Sequence, residues 1–507
     1  MAQYDVAIIG AGSAGALIAA RLSEDPARNV LLVEAGGTPS DPDILRPCMW
    51  PAIQHRNYDW DYKTTPQKYA AGRSFAWARG KGLGGSSLLH AMGYMRGHPA
   101  DFEVWAEATG DPRWSWEGLL PSFMANEDHV YGGDGIHGKG GPMPVWIPDE
   151  EVSPLTRAFM SAGNALGLPR IPGHNTGQMI GVTPNSLMIR DGRRITVAEA
   201  WLTPEACARS NLTIKTGTLT HYLKLEKSKV AALELSGPDG LETITATQII
   251  LSAGSLESPA LLMRSGIGRE EVLHEAGVTC RIKAPELGLN LMDHLLGAGN
   301  LYSTSKTLPP SRLQHSESMA YMRAGDFSAD GQPEIVVGCG VAPIVSESFT
   351  APAPGSAYSL LFGVTHPTSR GEIRITGDSP DSPLIIDPRY LQTENDRKLF
   401  RIALNAAREI GRHTELAEWR SHEILPTPLG TAENTDAFIA KAVITHHHPS
   451  GTCRMGKDDA SVVDPDLRLR GVENLYVVDG SVLPGLTAGP IHAAVQAIAE
   501  NFAARFN

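Results

Sequence analysis

The first 34 residues hold the pattern that most restricts what this chain can fold into. A mostly apolar run from Tyr4 to Ile9 predicts a buried strand, the turn GAGSAG follows at residues 10–15, and a helix is predicted from Ala16 to Leu22. A second apolar run, from Asn29 to Val33, predicts another strand directly before Glu34. A GxGxxG turn between a strand and a helix lets the backbone approach a pyrophosphate, and it points the helix N-terminal amides at that group. The order therefore predicts a βαβ unit that binds a dinucleotide.

Glu34 lies 24 positions after Gly10, which suits a carboxylate that holds a ribose. Its oxygens can accept hydrogen bonds from both ribose hydroxyls and would repel a 2′-phosphate. A lone GxGxxG is often only a glycine-rich turn, and the motif does not distinguish NAD from FAD. The cofactor-binding residues predicted from this unit are Gly10, Gly12, Ser13, Ala14, Gly15, Glu34 and Ala35.

Length, charge and cysteine content exclude several classes of protein. A chain of 507 residues is too long for one ordinary domain, so two domains are expected. The formal net charge of −12 argues against nucleic acid and anionic membranes as partners. The 5 cysteines are scattered and odd in number, which favours reduced thiols in a cytoplasmic protein over disulfides or a zinc site. The first strand starts too early to leave room for a signal peptide, and the apolar runs are too short for a membrane span.

Later segments of the chain predict further strands for the sheet of the βαβ unit and a separate region of antiparallel strands. Apolar runs at Thr245–Ser252 and Leu475–Asp479 predict further buried strands. Between about residues 301 and 442 the pattern predicts antiparallel strands, such as Glu334–Cys339 and Glu372–Thr376, and a long amphipathic helix at Glu394–Gly411. We therefore expect one sheet built from three separated parts of the chain, with another domain inserted between them.

Two more segments suit a large cofactor. The run Arg79–Ser87 (RGKGLGGSS) is a glycine-rich turn with paired hydroxyls that allows a second close backbone approach. The segment from Gly254 follows a buried strand, and Ser258 and Pro259 are predicted as the N-cap and first residue of a helix. The second segment could also be only a well-capped helix.

The run His446-His447-His448-Pro449 carries the predicted chemistry. Proline disfavours the α region for His448, and residues i and i+2 of an extended segment share a face, so His446 and His448 are predicted to point the same way. A neutral imidazole aimed at a redox cofactor can take a hydroxyl proton and later stabilise negative charge. By itself, such a run is more often a metal site or three ordinary loop histidines, and the neighbouring motifs favour the catalytic interpretation instead.

Taken together, these motifs resemble those of the glucose-methanol-choline (GMC) oxidoreductase family of FAD enzymes. The resemblance runs along essentially the whole chain and includes residues 79–87, 254–268, 287–294 (LGLNLMDH), 448–456 and 478–484 (VDGSVLP). It implies an α/β fold, α+β overall, in which a Rossmann-like FAD-binding domain carries an inserted substrate domain with a mainly antiparallel sheet. The implied FAD-binding domain comprises residues 1–96, 186–296 and 441–507, and the substrate-binding domain comprises 97–185 and 297–440.

The resemblance also assigns roles to individual residues. It implies that His448 is the catalytic histidine, that Thr220 meets the adenine through its backbone, and that Asp479 and Gly480 clasp the pyrophosphate and ribityl chain. Further cofactor-binding residues expected on this basis are Arg79, Gly84, Gly85, Ser86, His90, Ala91, Ala253, Gly254, Pro490 and Ile491.

Three positions depart from the family pattern. Some relatives attach FAD covalently through a histidine, and Leu89 occupies that position here, so a non-covalent flavin is expected. His90 stands where relatives often carry Asn and is placed near the reactive end of the flavin. Pro490 replaces the His or Asn that usually supplies a second catalytic polar group, and proline has no side-chain donor or acceptor. Either His446 provides the missing contact or His448 works alone and His446 only packs.

The expected activity is alcohol oxidation, with His448 accepting the hydroxyl proton. Within the family, the HHHPSG run, Pro490 and the compact chain are most similar to members that oxidise the 4-hydroxymethyl group of pyridoxine with O2, forming hydrogen peroxide in vitamin B6 degradation. Alternatives are a choline or alcohol dehydrogenase with another electron acceptor, an FAD-containing lyase, or a non-catalytic flavin-binding module. Trp50, Tyr58 and Trp60 could line the pocket or be core. The expected state is a monomer or small homo-oligomer.

Overall fold

The computed structural model describes residues 3–427 and 430–506. A five-stranded parallel sheet forms the centre of the nucleotide-binding part, and its strands come from the N-terminal, middle and C-terminal thirds of the chain. The βαβ unit predicted from the first 34 residues is confirmed. In spatial order the strands are Leu212–Lys215, Val30–Val33, Tyr4–Ile9, Ala246–Leu251 and Leu475–Val477.

The second main sheet of the fold is larger and antiparallel. It has seven strands, and its middle strands are buried along their whole length, which explains their nearly continuous apolar sequence. In spatial order they are Arg420–Leu425, Leu295–Thr304, Ala357–Val364, Ile335–Gly340, Ser316–Met322 and Gly181–Pro184, with Val443–Thr445 paired to Leu295–Thr304. The predicted inserted antiparallel sheet is therefore confirmed.

The remaining strands form small sheets at the periphery. One has three strands, Leu219–Glu226, Lys229–Gly237 and Gly240–Ile244. Five two-stranded sheets pair Ile267–Gly268 with Ile282–Lys283, Glu372–Ile375 with Leu384–Asp387, Tyr62–Lys63 with Ala76–Trp77, Glu127–His129 with Met143–Val145, and Ile189–Arg190 with Arg193–Arg194.

Helices cover both sheets. The amphipathic helix predicted at Glu394–Gly411 is found at Glu394–Arg412, and its apolar face packs on the large antiparallel sheet. The other α-helices are Gly15–Leu22, Pro99–Thr109, Trp116–Asn126, Pro154–Ala165, Val197–Trp201, Pro204–Cys207, Gly254–Arg264, Glu270–Glu275, Ala432–Ala442 and His492–Ala503. Short 3-10 helices occur at Pro42–Leu45, Pro47–Met49, Gly85–Leu88, Pro112–Trp114, Thr414–Leu416 and Gly480–Val482.

The predicted start of the helix after residue 253 is wrong. The helix begins at Gly254, so Ser258 and Pro259 lie inside it. The amide of Gly254 is instead capped by the carboxylate of Asp479, at 2.8 Å. Pro259 has no N–H to donate to the carbonyl of Ser255, and Thr452 Oγ1 donates to that carbonyl at 2.7 Å. Two distant side chains therefore satisfy groups that the local sequence was expected to satisfy.

The division into two domains stays a proposal. The proposed boundary at 296/297 falls inside the strand Leu295–Thr304, and the boundary at 440/441 falls inside the helix Ala432–Ala442. The two parts thus share continuous elements. Within the residues that the structure describes, no helix combines the length and apolar character needed to cross a membrane.

Candidate active site

A single elongated cavity of about 850 Å3 reaches from the first glycine turn to the histidine run. Of the residues predicted from the sequence to form the site, those on its wall are Gly10, Gly12, Ser13, Ala14, Glu34, Ala35, Arg79, Gly85, Ser86, His90, Ala91, Thr220, Ala253, Gly254, His446, His448, Asp479, Gly480, Pro490 and Ile491. Residues from the parallel and antiparallel sheets therefore meet around one space.

Two of the predicted cofactor residues do not line the cavity. A Cβ on Gly15 would lie 1.9 Å from the carbonyl oxygen of Gly10, so this glycine lets the helix pack on the turn. Gly84 donates its backbone N–H to the carbonyl of Ala11 at 2.9 Å, which joins the two glycine turns. Both residues support the turns from behind rather than facing a ligand.

The two glycine turns approach each other at the cavity. Gly85 has a φ of +52°, and a Cβ there would lie 2.6 Å from Cα of Gly12. Gly10 has a φ of +97°, and its Cβ would lie 2.5 Å from the carbonyl oxygen of Ser252. Only glycine fits these backbone positions without displacing main chain. The contact leaves bare backbone on the cavity wall, as a pyrophosphate requires.

Glu34 serves the fold as well as the cavity. Its Oε2 accepts the backbone N–H of Ala11 and its Oε1 accepts that of Gly36, both at 2.9 Å. Burial raises the pKa of this carboxyl group. The sequence predicted contacts to ribose hydroxyls only. The structure adds two backbone contacts, of which the one to Ala11 fixes the first glycine turn, and each oxygen keeps a lone pair for a further donor.

Asp479 lines the cavity and also connects two segments of the chain. Its Oδ2 accepts from Gly254 N–H at 2.8 Å and from Ser258 Oγ at 2.6 Å, and its Oδ1 accepts from Ser481 N–H at 2.8 Å. Burial raises its pKa. The carboxylate thus holds the C-terminal strand end and the Gly254–Arg264 helix together at the cavity wall.

The residues present fit a bound dinucleotide of the FAD type. Within the part of the chain that the structure describes, buried polar atoms at the wall lack a hydrogen-bond partner, among them Thr220 Oγ1 and His90 Nε2. The exposed backbone of two glycine turns lies at one end and three histidines lie at the other. A dinucleotide that filled the length of the cavity would place its redox ring beside the histidines.

The histidine run kinks instead of continuing as a strand. The strand Val443–Thr445 ends before it, and His447 has a φ of +61°, in the left-handed region. The predicted extended geometry is therefore wrong. The rings of His446 and His448 nevertheless lie together, with centroids 4.4 Å apart, because the kink brings them back to one side. Arg79 Nη2 donates to the carbonyl of His447 at 2.6 Å and ties the run to the second glycine turn.

A buried carboxylate that sequence analysis did not single out holds this run. Asp293 Oδ1 accepts the backbone N–H of His448 at 2.7 Å, and its Oδ2 accepts from Thr445 Oγ1 at 2.7 Å and from the hydroxyl of Tyr390. Burial raises the pKa of Asp293 to about 6, against the hydrogen bonds that lower it. The backbone of His448 is thus fixed by the segment that directly precedes the strand Leu295–Thr304.

His294 fixes the ring of His448. Its Nδ1 lies 2.9 Å from Nδ1 of His448, and its Nε2 lies 2.8 Å from the carbonyl oxygen of Thr365. A carbonyl can only accept, so Nε2 of a neutral His294 carries the proton and its Nδ1 is an acceptor. His448 must then donate from Nδ1. Its Nε2 keeps a free lone pair in the cavity.

Burial keeps these imidazoles uncharged. It lowers the pKa of His446 to about 4 and that of His294 to about 3, and it lowers the pKa of His448 well below the ordinary histidine range. Neighbouring His446 and His294 lower the pKa of His448 further, because like charges would repel. His448 is therefore available as a base at neutral pH.

His90 is fixed by a buried guanidinium. Arg194 Nη1 lies 2.9 Å from Nδ1 of His90 and also donates to the carbonyls of His90 and Ser87, at 2.5 and 3.2 Å. Since arginine only donates, Nδ1 of His90 is the acceptor and Nε2 carries the proton. Leu89, also on the cavity wall, has no nucleophilic atom that could form a covalent link to a flavin.

The end of the cavity near the histidines is mainly apolar. Trp50 and Trp60 lie on the wall, but Tyr58 does not, since it packs in a separate small core and donates to Asp41 Oδ2 at 2.8 Å. The apolar side chains that line this end are Met95, Leu296, Met319, Tyr321, Ile344, Leu361, Ile444 and Pro490. Its composition favours a substrate with a largely apolar body.

Sequence reasoning missed the residues that support the histidines. Asp293 and His294 lie in the LNLMDH run, which was recognised as a family motif, but the sequence alone indicated no function for either residue. Arg194 had no local signal, because its partners lie 104 and more positions away.

Comparison with known proteins gives a consistent result. A pyridoxine 4-oxidase of Microbacterium luteolum is 87% identical over 506 residues, covering 100% of both chains. An oxygen-dependent choline dehydrogenase of Proteus mirabilis (strain HI4320) is 33% identical over 99% of this chain and 95% of that protein. The crystal structure of pyridoxine 4-oxidase from Mesorbium loti superimposes with a TM-score of 0.99 at 64% identity, covering 99% of each chain.

Family models agree with these matches. The N-terminal model of the GMC oxidoreductases matches residues 4–296, and the C-terminal model matches residues 367–499. The resemblance that the sequence motifs carried is confirmed: this chain belongs to the GMC oxidoreductase family.

Proposed function

We propose that this protein is an FAD-dependent oxidase that converts the 4-hydroxymethyl group of pyridoxine to the aldehyde of pyridoxal, with O2 as electron acceptor. The substrate rests on the 87% identity to a pyridoxine 4-oxidase over the full chain. The reaction type rests on one observation, the 2.9 Å contact between the Nδ1 atoms of His294 and His448, which leaves Nε2 of His448 as a base in the cavity.

FAD is held by the two glycine turns, Glu34 and the Asp479 clasp, and the aliphatic Leu89 supports non-covalent binding. When bound, FAD supplies the two-electron acceptor that takes hydride from the carbinol carbon and is reoxidised by O2. This chain's own residues then have three tasks: to orient the alcohol, to exclude water and to hold the hydroxyl proton.

His448 Nε2 takes the hydroxyl proton of the substrate. The resulting imidazolium keeps its Nδ1–H, which still donates to His294, and Asp293 still holds the backbone N–H of His448 at 2.7 Å. The positive charge lies where negative charge develops on the alcohol oxygen. General-base assistance of this kind is typically worth about 100- to 10,000-fold in rate.

His446 supplies the second polar group that Pro490 lacks. Its ring lies beside that of His448 on the same wall, and burial keeps it neutral at physiological pH, so it can donate or accept one hydrogen bond at the substrate oxygen. Pro490, on the same wall, limits the space around the reacting carbon.

The choline alternative is less well supported by the cavity. A quaternary ammonium needs a carboxylate or an aromatic cage close to the reacting end. Of the carboxylates on the wall, Glu34 and Asp479 are engaged by the backbone around the cofactor end, Glu257 pairs with Arg264, and Glu347 pairs with Arg73. In the part of the chain that the structure describes, the apolar end holds no free carboxylate.

Anaerobic mixing of the holoenzyme with pyridoxine tests the proposal. We expect the oxidised flavin absorbance to bleach, and to return when air is admitted, with formation of hydrogen peroxide. Bleaching without return would indicate a dehydrogenase. Flavin that stays oxidised would refute oxidation of pyridoxine, and a lyase or a binding module would then have to be considered.

The proposal also covers the metabolic role of the enzyme and its location in the cell. A role at the start of vitamin B6 degradation follows from a reaction that consumes the vitamin and releases peroxide. A cytoplasmic location is supported by five cysteines that are all free thiols, two of them buried.

A further inference from the structure

Two buried polar side chains on the wall of the apolar end have atoms that no group of the described chain satisfies. Ser316 is 8% exposed and its Oγ has no hydrogen-bond partner, and Asn185 is 3% exposed and its Oδ1 has none. Both line the cavity. Buried polar atoms are nearly always paired, so two unpaired atoms on one cavity wall point to a ligand that pairs with them.

A β-bulge turns Ser316 towards the cavity. Ser316 pairs with Gly340 and Ser318 with Cys339, so two residues of one strand, Ser316 and Glu317, oppose Gly340 of its partner. In a regular strand Ser316 would share a face with Ser318, which points away from the cavity. The bulge instead puts it on the face of Met319, which lines the cavity.

The extra residue of the bulge is held firmly on the other side. Glu317 Oε2 accepts from Ser153 N–H at 2.7 Å and from Thr156 Oγ1 at 2.8 Å, and its Oε1 accepts from Ser311 Oγ at 2.6 Å. With its carboxylate satisfied, Glu317 cannot rotate into the cavity. The orientation of Ser316 is therefore built into the sheet.

Asn185 is oriented by the same strand. Its Nδ2 donates to the carbonyl of Ser316 at 2.6 Å, which identifies the other amide atom as the oxygen. Its backbone N–H donates to the carbonyl of Glu317 at 3.0 Å. The free Oδ1 can only accept, so its natural partner is a hydroxyl or N–H of the ligand. Ser316 Oγ can donate or accept.

We propose that Asn185 and Ser316 recognise the non-reacting hydroxyl groups of the substrate ring and so set the specificity of the enzyme. This inference rests on the proposed function. Pyridoxine carries a ring hydroxyl and a second hydroxymethyl group on the carbons next to the one that bears the reacting group. The second hydroxymethyl group offers the O–H that Asn185 Oδ1 lacks, and Ser316 Oγ can donate to the oxygen of the ring hydroxyl, in a pocket that is otherwise mainly apolar. A simple aryl methanol leaves both side chains unpaired and is discriminated against.

The test compares pyridoxine with 4-(hydroxymethyl)pyridine, which has the same reacting group without the two neighbouring hydroxyls. For Ser316→Ala and for Asn185→Ala we expect kcat/KM for pyridoxine to fall by at least about tenfold, mostly through KM. The value for the simple alcohol, or its inhibition constant if turnover is too slow, should change by less than about twofold. Ser316→Thr keeps the hydroxyl and should keep the preference.

Ser318→Ala is the matched control, since Ser318 lies on the same strand, faces away from the cavity and donates to Thr183 O at 2.7 Å. It should leave the ratio of the two kcat/KM values unchanged. Flavin content and absorbance spectrum confirm that each variant is folded. An equal loss for both alcohols, or an unchanged ratio in both cavity variants, would overturn the inference. If the wild type itself leaves its flavin oxidised with pyridoxine, the proposed function fails, and the inference fails with it.

Discussion

Nδ1 of His294 lies 2.9 Å from Nδ1 of His448, and this contact determines which nitrogen of His448 faces the cavity. The carbonyl of Thr365 can only accept, so Nε2 of His294 carries that ring's proton. Nδ1 of His294 is then an acceptor, and Nδ1 of His448 must be the donor to it. A neutral His448 therefore always presents a lone pair, not an N–H, to the substrate. His294 is not among the residues that line the cavity, so it acts on His448 as a positioning residue.

Replacing His294 by Ala should slow flavin reduction by about 10- to 100-fold, the usual cost of losing a residue that orients a ligand or base. The free His448 ring would then populate the wrong tautomer. His294→Gln, whose amide oxygen can accept from Nδ1 of His448, should restore part of the rate. Stopped-flow flavin reduction measures both. A His294→Ala rate within about twofold of the wild type would contradict the positioning role.

Replacing Arg194 by Met should weaken FAD binding by about tenfold or more. The guanidinium is fully buried and holds His90 and the carbonyls of Ser87 and Ile44, so its loss loosens the second glycine turn. Release of fluorescent FAD on dilution measures the dissociation constant. Arg193→Met is the control, because the Arg193 side chain is 46% exposed and, among the described residues, its ion pair is with Glu199 at the surface. Equal effects of the two variants would contradict this account.

Replacing Pro490 by Asn should not accelerate flavin reduction by more than about twofold. If His446 already supplies the second polar contact, a new amide adds nothing that the pocket needs. Single-turnover reduction by pyridoxine measures the step. A substantially faster variant would show that the pocket lacks a group and that His446 only packs.

Acidification should destabilise the protein. Burial lowers the pKa of His294 and His447 to about 3 and that of His446 to about 4, so between about pH 4 and pH 6.5 the unfolded chain binds protons that the folded chain does not. Their contribution to stability is therefore lost as pH falls through this range. The raised pKa values of Asp293, Glu34 and Asp479 oppose the trend, but burial also lowers the pKa values of His129, His174 and His492, so the buried histidines outnumber these carboxyl groups. Calorimetry should show a lower Tm at pH 5 than at pH 7. A Tm that rises on acidification would contradict it.

The sequence predicts those parts of the fold that depend on local pattern. The strand, glycine turn and helix of residues 4–22 follow from apolar runs and from backbone positions that only glycine fits. The helix at Glu394–Arg412 follows from its amphipathic period. In each case the pattern that supports the prediction lies within a short stretch of sequence, although Gly10 also packs closely against the distant Ser252.

Features that depend on distant partners were predicted wrongly or not at all. The helix starts at Gly254 because Asp479, 225 positions later, caps it. The kink at His447 brings two rings together without the extended geometry on which the prediction relied. The bulge that exposes Ser316 depends on Glu317 and donors up to 164 positions away. Such contacts form only in the folded chain, so a local sequence pattern does not predict them.

The role of His448 is tested most directly by single-turnover flavin reduction in the His448→Ala variant. The holoenzyme and the variant are mixed with pyridoxine without oxygen, and the loss of oxidised flavin absorbance is followed at equal FAD content. We expect a rate about 100- to 10,000-fold below that of the wild type, with FAD still bound. A variant that reduces its flavin as fast as the wild type would contradict the assignment of Nε2 of His448 as the base.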